Sequence, residues 1–180
     1  MGLRPGRCYR TLHRPYTRQS TRKPRKSYVK GVPRPKITDF QAGERASFPK
    51  VVCLIAKRAV QIRDNALESA RVAAAQSLEK AFGKPQGYFF RLRPYPHHVL
   101  RENPLATGAG ADRFQQGMRQ SFGNPIGSAA QVEEGQIVME VWTDETSIKR
   151  AKDALNSARY KLPTPCKILV KNASEVGPLV

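Results

Sequence analysis

The chain has 180 residues, with 32 Lys and Arg against 14 Asp and Glu, a formal net charge of +18 and a pI near 10.4. That length suits one folded domain plus an extension. The charge speaks to partners rather than to fold, with nucleic acid ahead of an acidic membrane surface. No apolar run reaches the roughly 18 residues that span a bilayer, no amphipathic helix has a long basic face backed by Trp, Phe and Leu, and the N-terminus lacks the apolar stretch of a secretory signal. Cys8, Cys53 and Cys166 form no C-x-x-C pair and are odd in number, which suits reduced thiols in the cytosol better than a disulfide framework. A zinc site built on Cys8 and His13 lacks two further ligands, and no metal or other cofactor is expected.

Residues 1–36 concentrate the charge: Arg4, Arg7, Arg10, Arg14, Arg18, Arg22, Lys23, Arg25, Lys26, Lys30, Arg34 and Lys36, with no acid among them. Pro5, Pro15, Pro24, Pro33 and Pro35 exclude a helix, and too little of the segment is apolar to bury a core. Tyr9, Tyr16 and Tyr28 punctuate it. An extended basic arm of this kind suits RNA, with guanidinium groups on phosphates and tyrosines stacked on bases or sugars. The blander alternative is a solubilising tail or a localisation signal. Residues 37–50 read as a connector ending at Phe48-Pro49.

From Val51 the composition becomes that of a folded domain. The run V-V-C-L-I, continued by Val60 and Ile62 in alternation with Gln61 and Arg63, predicts one strand. Asn65 and Glu68 resemble a capping box for a helix that buries Leu67, Ala70, Ala74, Leu78 and Ala81 or Phe82, with Gly83 just past its end. Gln86 to Arg93 reads as a second strand, Tyr88, Phe90 and Leu92 on one face and Phe89, Arg91 and Arg93 on the other. A face with two arginines beside an aromatic is either an RNA contact or an ordinary solvated surface. His97 and His98 are adjacent, so they point different ways and do not make one catalytic or metal centre.

The segment from Leu105 to Gly127 holds Gly108, Gly110, Gly117, Gly123 and Gly127, with Arg113 and Arg119 between them. Glycine lets a backbone turn or approach another surface closely, and arginine forks onto phosphate, so this loop reads as a second polyanion-binding element. Beyond it, Ser128–Val132 and Gln136–Thr143 predict a hairpin turning at Glu133-Glu134-Gly135. Ile137, Met139 and Val141 would face one way, and Val138, Glu140 and Trp142 the other. A helix from about Thr143 or Asp144 buries Ile148, Ala151, Leu155, Ala158 and Leu162. Pro163 and Pro165 end it, and Cys166, Ile168 and Val170 mark a last strand before a loose tail from Asn172. The fold class is α+β, a two-helix sandwich on a largely antiparallel sheet. The organisation is an arm and connector over residues 1–50, a domain over 51–171 with an internal loop over 101–127, and a tail over 172–180.

No enzyme is expected. G-A-G-A-D-R places Arg113 where the dinucleotide fingerprint needs its third glycine, no G-K-[ST] occurs, and Asp112 has no partner carboxylate by spacing. Neither helix resembles a DNA-recognition helix. A free-standing nucleic-acid chaperone or chromatin-type protein remains the competing class.

Four motifs carry a family resemblance: R-P-G-R-C-Y-R (4–10), G-V-P-R-P-K-I (31–37), H-H-V-L-R-E-N (97–103) and, above all, G-A-G-A-D-R-F-Q-Q-G-M-R-Q-S-F-G-N-P-I-G (108–127), with K-L-P-T-P-C-K-I (161–168) in matching position. Over nearly its whole length the chain resembles the archaeal and eukaryotic ribosomal protein family called L-ten-e, counterpart of bacterial L-sixteen. The resemblance implies a β-hammerhead-like core in the large ribosomal subunit, and an extended basic N-terminal arm threaded into ribosomal RNA. Arm residues implied in RNA contact are Arg4, Arg7, Tyr9, Arg10 and Arg14, joined on composition by Tyr16, Arg18, Arg22, Lys23, Arg25, Lys26 and Lys36, and in the domain by Arg91, Arg93, Arg113 and Arg119. The family's internal loop extends toward the peptidyl-transferase region and transfer RNA, which implies Arg101, Thr107, Gly108, Ala109, Gly110 and Asp112 as tRNA-proximal. Neighbouring ribosomal proteins are further implied partners, with no membrane and no homo-oligomer. Residues 17–27 depart from the family pattern, being longer and more basic.

Overall fold

The computed structural model describes residues 4–17, 29–83 and 86–176. In chain order these form β1 (Gln41–Gly43), β2 (Lys50–Ala56), β3 (Val60–Arg63), α1 (Asp64–Phe82), β4 (Tyr88–Leu92), β5 (His98–Glu102), β6 (Asn124–Val132), β7 (Ile137–Thr143), α2 (Ile148–Arg159), β8 (Cys166–Asn172) and the single turn α3 (Ala173–Val176). The fold is mixed α+β. Its strands make two sheets, a five-stranded one in the order β1-β4-β7-β2-β8 and a three-stranded one in the order β3-β6-β5. Every pairing is antiparallel.

The predicted single strand over 51–63 is two strands in different sheets. β2 lies between β7 and β8, and the chain turns at the exposed residues Lys57, Arg58 and Ala59, where Lys57 N–H donates to the Pro165 carbonyl. The predicted hairpin is not a hairpin either. β7 is flanked by β2 and β4, and β6 by β3 and β5, so neither has an edge left for its sequence neighbour. Long-range pairing overrides proximity here. β5, whose last two residues fall in the internal loop expected over 101–127, is an edge strand of the small sheet.

Both long helices share one core with the large sheet. Leu67, Ala70, Ala74 and Leu78 of α1, and Ala151, Ala154, Leu155 and Ala158 of α2, pack with Val52, Leu54, Tyr88, Phe90, Met139 and Val141. Each fully buried leucine contributes about 1.5–3 kcal/mol by leaving water. The other face of the sheet carries a smaller cluster of Phe48, Val51, Cys53, Phe89 and Trp142, against which α3 sets Ala173 and Val176. The expected loose tail from Asn172 thus begins with an ordered turn, and residues 177–180 lie outside the described ones. The expected strict alternation along β7 breaks at Val138. Leu54 pairs with Met139 but Ile55 with Ile137, so Val138 is an extra, bulged residue and joins Met139 in the main core.

Helix α1 starts one residue before the predicted cap, and the capping box does not form. Arg63 stands at the N-cap without a side-chain cap bond, and Asp64 Oδ1 accepts the Asn65 N–H at 2.7 Å. Glu68 instead accepts from Thr38 N–H and Oγ1–H and from the Arg71 guanidinium at 2.7 and 2.9 Å. The Arg71 hydrogen bonds hold its carboxyl below the usual range. Asp64 Oδ2 also accepts the Lys36 N–H and the Ser128 hydroxyl, so these two acids tie the connector to the helix. At the far end Gly83 takes φ 71° and its N–H closes on the Glu79 carbonyl, the cap expected of a glycine there.

Candidate nucleic-acid interface

The first part of the basic arm is docked on the small sheet through its own backbone. Gln61 N–H of β3 donates to the Arg10 carbonyl, and Val99 N–H of β5 donates to the Tyr16 carbonyl. These two strands are the outer ones of the sheet, so the arm takes up one backbone N–H on each edge, a group an edge strand otherwise leaves unpaired. Between those points Gln61 and Gln131 sit opposite each other on β3 and β6. Gln61 Nε2–H donates to the Tyr9 carbonyl at 3.0 Å, and Gln131 Nε2–H to the His13 carbonyl at 2.8 Å and to Gln61 Oε1 at 3.2 Å. Arg63 adds a bond to the Arg4 carbonyl at 2.9 Å and lies 5.3 Å from the centroid of the Tyr9 ring. Backbone carbonyls do the docking, and the side chains of Arg7, Arg10 and Arg14 remain exposed. Arg18, Arg22, Lys23, Arg25 and Lys26 lie outside the described residues. Lys36 uses its backbone N–H internally and keeps its side chain in solvent.

The glycine segment runs from Asn103 to Gly123, with 3-10 turns at Ala111–Arg113 and Gly117–Gln120. Thr107, Gly108, Ala109 and Asp112 are exposed, and Gly110 takes φ 81° to start the first turn. The apolar members of the loop face water: Phe114 is 88%, Met118 74% and Phe122 70% exposed. Exposed rings flanked by Arg113 and Arg119 offer stacking surface together with charge. Gly123 is fixed by space. A Cβ there would meet the Glu102 backbone at 2.8 Å, so another residue would push the loop off β5.

Arm, β5 and loop meet at a groove of about 700 Å³ walled by Arg4, Tyr9, His13, His98, Arg101, Arg119 and Phe122 among others, with one acid, Glu102, which stands 3.8 Å from Arg4. At this point β6 carries a bulge, because Leu100 pairs with Gly127 but Arg101 with Pro125. The bulge re-aims the strand beside the groove. Arg101 reaches both the Tyr16 and Phe122 rings, at 4.1 and 4.5 Å from their centroids. His98 Nδ1 accepts the Tyr16 N–H at 2.9 Å. Burial, reinforced by the Arg101 and His13 charges, lowers the His98 pKa.

Arg91 and Arg93 belong to a different setting. Glu140, fully buried on β7, accepts from Arg93 Nε–H through Oε2 at 2.9 Å, and Arg93 Nη2 stands 2.8 Å from the same oxygen as an ion pair. Arg91 Nη1 stands 4.0 Å from Oε1, close enough for an ion pair but too far for a hydrogen bond. The same acid stands near Cys53, whose thiol is raised to about 11, first by burial and then by this charge. The sequence contained Glu140, but nothing in it indicated that β7 would pair beside β4. His98, Phe122, Gln61 and Gln131 were not singled out as site residues. Two glutamines flanked by apolar residues, Gln61 between Val60 and Ile62 and Gln131 between Ala130 and Val132, are the signal that could have marked the arm's seat.

No helix among the described residues is long and apolar enough to cross a membrane, and no group of three metal-binding side chains occurs among them. The family model for ribosomal protein L16p/L10e matches residues 16–169. The large ribosomal subunit protein uL16 of Staphylothermus marinus is 48% identical over 173 residues, 95% of each chain. Those of Picrophilus torridus and Archaeoglobus fulgidus are 46% and 45% identical, covering 98% of this chain and 97% of theirs. The chain therefore belongs to the ribosomal protein L16p/L10e family, whose members are structural constituents of the ribosome and not enzymes.

Proposed function

We propose that this protein is a structural constituent of the large ribosomal subunit, acting in the cytoplasm during translation. It binds large-subunit ribosomal RNA through the arm, the groove and the glycine loop, and abuts neighbouring ribosomal proteins. The observation that carries this reading is the way the arm docks. Its carbonyls are spent on the small sheet while Arg7, Arg10 and Arg14 face solvent, and no ion pair among the described residues engages them. Such an arrangement neutralises phosphates where RNA helices converge. Within this proposal the fold is the two-helix sandwich with a β-hammerhead-like core, and residues 1–36 are its RNA-threading arm. The loop around Arg101 to Arg113 lies near the aminoacyl-tRNA site beside the peptidyl-transferase centre, where Thr107, Gly108, Ala109, Gly110 and Asp112 approach transfer RNA.

Sedimentation of ribosomes through a high-salt gradient tests the central claim. A merely electrostatic passenger loses affinity steeply with salt, by a log–log slope of about 0.7–0.9 per phosphate contact. Retention at one copy per large subunit is the expected result. Release into the soluble fractions would overturn the proposal in favour of a free-standing nucleic-acid chaperone.

A further inference from the structure

The groove beside Arg101 offers more than charge. The Tyr16 and Phe122 rings meet edge to face, 6.2 Å between centroids, and the Arg101 guanidinium sits in the corner between them. Cation–π contacts hold a guanidinium without using its N–H groups. No hydrogen bond or ion pair among the described residues engages those five donors, so the group is positioned yet keeps its whole fork. His98 is set in a similar way. Its Nδ1 is taken by the Tyr16 N–H, so the neutral ring carries its proton on Nε2 and keeps that donor for a ligand. Arg119 also lines the groove without an acidic partner among the described residues, and the largely exposed Phe122 presents a ring at the rim.

We infer that this groove is a binding site for an unpaired nucleotide of RNA. The inference rests on the RNA-binding reading above and narrows it. Arg101 forks onto the phosphate, the His98 Nε2–H donates to a second acceptor oxygen or to the base edge, and the base stacks on Phe122. The volume lies within the roughly 300–1,000 Å³ of pockets that enclose small ligands. A duplex presents a convex backbone and paired bases, so it would only graze the rim. A flipped or single-stranded nucleotide brings a phosphate and a free π-face into the concavity together.

The test uses the full chain and compares a short unstructured single-stranded RNA with a blunt RNA duplex of the same length by fluorescence anisotropy. Arg101→Lys keeps the charge and a cation–π contact but loses the planar fork. It should weaken single-strand binding about tenfold, the loss of one good charged contact, and leave duplex binding unchanged. Crosslinking of the unaltered chain to 4-thiouridine-substituted single strand should map to the peptides containing His98 or Phe122. Equal effects of Arg101→Lys on both RNAs, no effect on either, or crosslinks confined to the arm would each overturn the nucleotide site while RNA binding stood. Failure of the unaltered chain to bind either RNA would instead remove the RNA-binding reading itself.

Discussion

The two sheets treat arginine in opposite ways. On the five-stranded sheet, Arg91 and Arg93 turn to Glu140, an acid with no exposed surface. Around the three-stranded sheet, Arg4 stands 3.8 Å from Glu102 of β5, but Arg7, Arg10, Arg14, Arg101 and Arg119 have no acid partner among the described residues, and Arg101 is braced by rings instead of a carboxylate. Burying a charge needs a counter-charge, so the large sheet spends its arginines on its own stability. A cation kept for phosphate must be left without an acid partner of its own. In the proposed reading, an arginine is available to RNA where the fold gives it no internal carboxylate, and the small sheet holds most such arginines.

Replacing Glu140 with Gln breaks that contrast most sharply. It strips the large sheet of its acid and should cost about 2–3 kcal/mol in urea unfolding. This is below the roughly 3–5 kcal/mol of a wholly buried pair, because the guanidinium groups keep part of their surface in water. RNA affinity of the folded variant should be unchanged. A rise in affinity would mean that Arg91 and Arg93, once released, can bind RNA and that Glu140 normally restrains them.

Changing Arg7, Arg10 and Arg14 together to Gln acts on the other side of the comparison. The docking carbonyls remain, so the unfolding midpoint should hold. The salt dependence of RNA binding should flatten by a slope of about 2, three contacts at roughly 0.7 each on single strands. A loss of stability with an unchanged slope would show that these side chains serve the fold.

The smallest effect is set by His98. Its pKa is lowered in the folded protein, first by burial, so the unfolded chain binds more protons as pH falls through about 6.5. Stability should be complete above that pH and decline below it until the folded-state pKa is passed, as the ring gains a proton that opposes the Tyr16 N–H. A chemical-denaturation series from pH 8 to 5 should show this decline, and His98→Gln should flatten it. An equal decline in the variant would assign it to other groups.

The apolar periods of both helices were legible in the sequence, because a stripe of Leu and Ala at helical spacing has one way to be buried. So was the Gly83 stop, since a left-handed cap costs glycine little. The arm's charge and the glycine loop were equally plain. Tertiary structure decided the rest. It divided 51–63 between two sheets and sent β6 and β7 apart, because strand neighbours are chosen by long-range edges that local alternation cannot encode. It gave Arg91 and Arg93 a buried partner from a strand some fifty residues away in sequence. It also seated the arm on Gln61 and Gln131 and brought Tyr16, Arg101 and Phe122 into one corner. Composition pointed to a polyanionic partner. Only the packing of distant segments decided which of its charges are left free to meet that partner, because a charge's availability depends on what folds against it.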